Sequence, residues 1–170
     1  MGDPATLDWF LGYCRAQYPA ANYGLVVWNH GGGARSKAAT SGGPKREIAE
    51  DQNPGDILYL EELRQGIAAQ FSGAGKLAFL GMDACFMGTV EVAYELRDVA
   101  RYMIASMTDE PSAGWDYTKI FGRLDEAAAS PEMFAMTIVD CYRELHSPDG
   151  PTNDSGQTLA AVDLAQVAAV

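Results

Sequence analysis

The stretch KLAFLGMDAC, residues 76–85, decides the fold. Lys76 to Met82 is an almost unbroken apolar run of strand length, the pattern of a strand buried on both faces of a parallel sheet. It runs directly into Asp83-Ala84-Cys85. Upstream, GLVVWN (24–29) has the same character and ends in His30-Gly31-Gly32-Gly33. Downstream, YMIAS (102–106) reads as a third short strand, and Gln157 to Val162 as a fourth.

Helical periodicity fills the intervals. Asp3 to Tyr18 carries Leu7, Phe10, Leu11 and Cys14 on one stripe, with Thr6 or Asp8 as candidate caps. Ile57 to Phe71 repeats the pattern with Leu60, Leu63, Ile67 and Phe71. Gly88 to Arg101 follows, and two more helices are predicted near Tyr117–Asp125 and Pro131–Leu145. The polar segment 34–56 reads as a flexible loop. Strands alternating with helices predict an α/β fold: a mostly parallel central sheet with helices on both faces, forming a single unit over 1–170.

Composition sets outer limits on function. The chain has 170 residues, 48% of them apolar, which is enough for a sizeable core. Its net charge of −11 argues against nucleic acid and anionic membranes as partners, because both require basic patches. No apolar run is long enough to span a bilayer. The start, MGDPATLDWF, lacks the basic and apolar regions of a signal peptide. Cys14, Cys85 and Cys141 form neither a CxxC pair nor a zinc pattern with His30 and His146, so no metal site is expected from spacing.

Open α/β sheets bind ligands at the carboxyl ends of their strands. That rule brings His30 and Cys85 to one edge. Cys85, between a strand and a helix, is a candidate nucleophile whose thiolate a helix N-terminus would favour; the alternative is an inert buried thiol. His30 can act as general base and acid. The Gly31–Gly33 run is either a plain turn or backbone that must approach a substrate closely. In the second case the N–H groups of Gly31 and Cys85 would face a developing oxyanion. A phosphate cradle fits poorly, because the lysine and glycine spacing of such loops is absent. Asp83, two residues before Cys85, either caps the turn or binds a cationic side chain.

The segments LVVWNHGGG (25–33) and FLGMDACFMGTVEVAYEL (79–96) resemble the histidine and cysteine motifs of clostripain-like cysteine peptidases, part of the caspase-like group. SMTDEPSAGWDY (106–117) continues the match. The resemblance implies a caspase-like fold and an endopeptidase that cleaves after Arg or Lys. His30 matches the catalytic histidine, Cys85 the nucleophile and Asp83 the acid of the basic-side-chain pocket, with Asp109 or Glu110 as further acids. It also implies self-cleavage in the loop after the histidine, here expected after Lys45 or Arg46. The chemistry requires no cofactor. Calcium activates some relatives; acidic loops such as Glu47–Asp56 are candidate sites for it, without the spacing of an EF-hand.

The family pattern begins with an extra strand and helix and carries a longer C-terminal part. The sheet is therefore expected to be incomplete at both ends, with the missing N- and C-terminal parts of its own protein as partners. Its substrate partner is expected to be a peptide or protein with a basic residue, and its location secreted or in the cell envelope. Two other classes fit the same fold: a catalytically silent caspase-like scaffold, and an α/β domain holding a small ligand at the strand ends.

Overall fold

The structure is a computed structural model that describes residues 2–33, 47–51, 55–127, 130–152 and 156–167. In chain order the elements are α1 (Pro4–Gln17), β1 (Gly24–Trp28), β2 (Glu47–Asp51), β3 (Asp56–Tyr59), α2 (Leu60–Gln70), β4 (Leu77–Asp83) and α3 (Val90–Leu96). They continue with β5 (Ala100–Ala105), α4 (Tyr117–Gly122), α5 (Leu124–Ala127), α6 (Pro131–His146), β6 (Ala160–Asp163) and α7 (Leu164–Val167). Among the described residues no helix is long and apolar enough to cross a membrane.

The central sheet has the order β1-β4-β5-β6. β1, β4 and β5 run parallel, with Trp28 opposite Asp83 and Met82 opposite Ala105. β6 pairs antiparallel with β5. This is the mostly parallel sheet expected from the apolar runs.

Alternation along each strand divides the core in two. Leu80, Met82 and Met103 face a layer containing Leu7, Ile67, Val92 and Leu164 from α1, α2, α3 and α7. Ile104 points the other way, toward Trp115, Ile120, Ile138, Cys141 and Tyr142, which belong to α4, α6 and the chain before α4. Helices thus cover both faces. Each fully buried aliphatic side chain contributes about 1.5–3 kcal/mol, so this two-sided packing outweighs the exposed ion pairs.

Local chemistry sets the helix ends. Asp3 caps α1 by accepting from Ala5 N–H at 2.9 Å, and Pro4 occupies the first helical position. Thr6 and Asp8, the expected caps, lie inside the helix. Its buried stripe is Leu7 and Leu11; Phe10 and Cys14 are not buried. The second helix starts at Leu60, three residues later than expected. Ile57 and Tyr59 belong instead to β3, which pairs antiparallel with β2. Glu62 then accepts from Tyr59 N–H at 3.0 Å and fixes the helix start. The C-terminal end of the segment read as a loop therefore holds a hairpin strand, with Ile48 and Ala49 buried. The helix after Cys85 is also shorter than expected: Thr89 caps it and it begins at Val90.

Candidate active site

β1 and β4 lie side by side in parallel, so their carboxyl ends deliver His30 and Cys85 to one rim. A groove of about 470 Å³ opens there, and its walls include His30, Asp83, Cys85, Glu110 and Pro111. The ring of His30 is exposed, Cys85 is half-buried and Asp83 is buried. The structure thus brings together His30, Cys85, Asp83 and Glu110. Asp109, the other acid considered for the pocket, is exposed and does not line it. Lys45 and Arg46 lie outside the described residues, as do most side chains of the Glu47–Asp56 stretch.

Gly31 joins the two motifs by direct contact. A Cβ there would lie 2.2 Å from the Cys85 carbonyl oxygen and 3.0 Å from its nitrogen, so only glycine lets the two backbones meet. Cys85 itself sits in a tight turn. The following residue, Phe86, holds φ +61°, a left-handed conformation costly for a bulky side chain. Two carbonyls beyond β5 hold the turn: Thr108 accepts from Phe86 N–H at 3.0 Å, and Ser106 from Gly88 N–H at 2.6 Å.

The thiol's surroundings differ from the expectation. α3 starts only at Val90, five residues after Cys85, and among the described residues the hydrogen bonds of the sulfur do not go to its N-terminus. The Glu110 peptide takes that role. Its N–H donates to Sγ at 3.1 Å, and its carbonyl lies 3.9 Å from Sγ as an acceptor for the thiol.

Behind the thiol stand two acids held by neutral donors. Asp83 accepts from the Tyr117 hydroxyl at 2.8 Å and from Trp115 N–H at 3.2 Å. Glu110 accepts from the Tyr142 hydroxyl at 2.7 Å and from the Trp115 indole N–H at 3.4 Å. Trp115 reaches both because Gly81 in β4 leaves room for its ring: a Cβ on Gly81 would lie 2.8 Å from it. Burial pushes the Asp83 carboxyl above the usual carboxylate range, against the opposing pull of its two donors and of His146. Burial likewise pushes Glu110 up to about 7, and the neighbouring Asp83 adds to the rise. Tyr117 is pushed well above its ordinary value by burial and its bond to Asp83, so it remains a donor.

Four of these residues were not singled out in the sequence: Trp115, Tyr117, Tyr142 and His146. The first two lie in the SMTDEPSAGWDY segment, where their aromatic character was visible but not their donor role. The last two were hidden in the α6 pattern. Tyr and His four residues apart on an otherwise apolar stripe put two polar tips in the core, and such tips need partners.

Three comparisons with known proteins agree. The model of the clostripain family matches residues 1–170. Clostripain from Hathewaya histolytica is 36% identical over 137 residues, covering 73% of this chain and 24% of that protein. Among solved structures, a secreted cysteine protease of peptidase family C11 from Bacteroides thetaiotaomicron, in complex with an irreversible peptide inhibitor, superposes with a TM-score of 0.78 at 26% identity. That match covers 98% of this chain and 46% of the other. An inactive zymogen protease of the same family from Parabacteroides distasonis shares the fold, with a TM-score of 0.71 at 21% identity over 99% of this chain and 41% of its own. The chain thus spans about a quarter of its curated relative and under half of these solved relatives.

Proposed function

The chain belongs to the clostripain family of cysteine peptidases, and we propose that it forms the catalytic centre of an endopeptidase cleaving after Arg or, less readily, Lys. His30 takes the proton from Cys85, and the sulfur attacks the carbonyl carbon of the scissile peptide. The N–H groups of Gly31 and Cys85 receive the negative charge that develops on the carbonyl oxygen. His30 then returns the proton to the departing amine, leaving a thioester on Sγ. Water hydrolyses that thioester and the thiol is restored.

One observation carries the reading. A thiol, an imidazole and two buried-side carboxylates share the rim of a single groove, and the carboxylates' hydrogen-bond partners are neutral donors. Among the described residues no Lys or Arg hydrogen-bonds to these acids, so their desolvation cost is not offset by an ion pair there. An arginine or lysine side chain entering beside Cys85 supplies that cation, which gives Asp83 and Glu110 the role of recognising the residue before the scissile bond. The peptide inhibitor bound by the Bacteroides relative supports a peptide substrate. That relative is secreted, and on that ground an extracellular or envelope location is proposed for this chain as well.

A fluorogenic peptide ending in Arg tests the reading. Cleavage by the wild type and its fall to background in Cys85→Ala are expected; cleavage that survives in the variant rules out the thiol mechanism. Self-cleavage after Lys45 or Arg46 is part of the same proposal. Intact mass after incubation should show two fragments for the wild type and a single species for Cys85→Ala, and one unchanged species for both excludes self-processing.

A further inference from the structure

Helix α6 comes to the groove from the opposite face of the sheet, yet two of its side chains reach the acidic wall. Tyr142 and His146 lie one turn apart, both buried, with ring centroids 4.5 Å from each other. The Tyr142 hydroxyl donates to Glu110 Oε2 at 2.7 Å. His146 Nε2 lies 3.0 Å from the Gly114 carbonyl oxygen, and its Nδ1 lies 3.0 Å from Thr152 Oγ1. Since a carbonyl only accepts, the Nε2 contact requires a proton on Nε2.

What His146 holds is the turn that shapes Asp83. Gly114 has φ +59°, and a Cβ there would lie 2.8 Å from Asp83 Oδ2, so its backbone rests against the carboxylate. The next N–H, that of Trp115, donates to the same oxygen. We propose that Tyr142 and His146 are positioning residues for the cation pocket, Tyr142 setting the Glu110 carboxylate and His146 setting Asp83 through the Gly114–Trp115 turn. The inference rests on the reading of that groove as the site for a basic side chain. Neither residue touches the substrate; both act through the acids.

The two mounts have different signatures. Tyr142 bonds directly to a carboxylate, and its donor favours the charged form. The titratable groups around Glu110 are Asp83 on β4, Cys85 and His30 on the rim, Tyr117 at the start of α4, and Tyr142 and His146 on α6. Burial holds Glu110 at about 7, so its charge appears across neutral pH. Loss of the Tyr142 hydroxyl moves that appearance to higher pH. His146 bonds to a backbone carbonyl and also pulls Asp83 electrostatically toward its carboxylate form, so its loss weakens the pocket, and a neutral donor of similar reach should recover the positioning part of that loss.

Benzamidine, a small aromatic cation, is the probe, with its binding to the whole chain measured by calorimetry from pH 5.5 to 9. Wild-type affinity should rise about tenfold through neutral pH. Glu110→Gln should flatten that rise. Tyr142→Phe should keep it but move its midpoint up by roughly one pH unit. His146→Ala should lower affinity several-fold, and His146→Gln should recover much of that loss. A Tyr142→Phe profile that superimposes on the wild type, a rise that persists in Glu110→Gln, or equal losses in both His146 variants would overturn the proposal, as would no benzamidine binding at any pH. None of these measurements depends on turnover, so the peptidase reading stands or falls separately on thiol-dependent cleavage.

Discussion

Glu110 and Glu144 both meet helix α6, yet burial pushes the first up to about 7 while its ion-pair partners hold the second down to about 2. Glu144 lies on the helix and is clasped by the Arg123 guanidinium, at 3.1 and 2.9 Å, and by the Lys119 ammonium. Among the described residues Glu110 bonds to α6 through a phenol and elsewhere to an indole. One acid thus has its cations built into the chain. The other has neutral donors that orient it without neutralising it. A carboxylate of the first kind is structural, whereas the second kind is the one proposed above to receive the cation of a substrate.

The largest break in that contrast is expected at Asp83, the groove's other acid. Asp83→Asn keeps an oxygen to accept from Tyr117 and Trp115 but removes the charge. Cleavage of an Arg peptide should fall about a hundredfold or more in kcat/KM, with far less loss for a peptide of the same length carrying a neutral residue there. Equal losses for the two peptides would show that Asp83 does not read charge.

A smaller effect should appear in stability. Glu110's folded pKa is raised above its ordinary 4.5, so the folded chain holds a proton that the unfolded chain has lost. Stability therefore declines as pH rises from about 4.5 to about 7, by about 3 kcal/mol at most, a figure reduced by partial exposure. Urea unfolding at pH 5 and pH 8 should show this decline in the wild type and a reduced decline in Glu110→Gln. An unchanged difference between the two pH values removes Glu110 as its source.

Glu144→Gln should have the smallest effect and the opposite sign. Its lowered pKa gives stability that is present above about 4.5 and lost as pH falls toward about 2. The variant should melt slightly below the wild type at neutral pH and low salt. The gap should narrow at high salt and close at acid pH. A gap that persists at the acid limit would mean that the carbon stem, not the charge, matters.

The parts of this arrangement that were readable in sequence share a physical cause. β1 and β4 are buried on both faces, so their residues form apolar runs, and the rule for parallel sheets then brings His30 and Cys85 to one edge. Asp83 followed from its place two residues before Cys85. The β2–β3 hairpin was hidden because Glu47, Glu50 and Asp51 flank Ile48 and Ala49 in the sequence and so mask strand character, although Ile48 and Ala49 are buried. The sulfur's true donor was hidden for another reason: Glu110 N–H lies 25 residues away in the chain and reaches Cys85 only after β5 and its loop are in place. Tyr142 and His146 were hidden likewise, since a helical stripe reports burial and not the partner of a polar tip.

The contact between Gly31 and the Cys85 backbone has a consequence for how the chain can be cut. The two halves of the groove are tied by five paired positions of β1 and β4 and by backbone pressed on backbone, both independent of the peptide that joins residue 33 to residue 47. Covalent continuity through that interval is therefore not what keeps His30 beside Cys85. A chain nicked there, or rebuilt with new termini there, would retain the neighbourhood of imidazole and thiol through strand pairing alone.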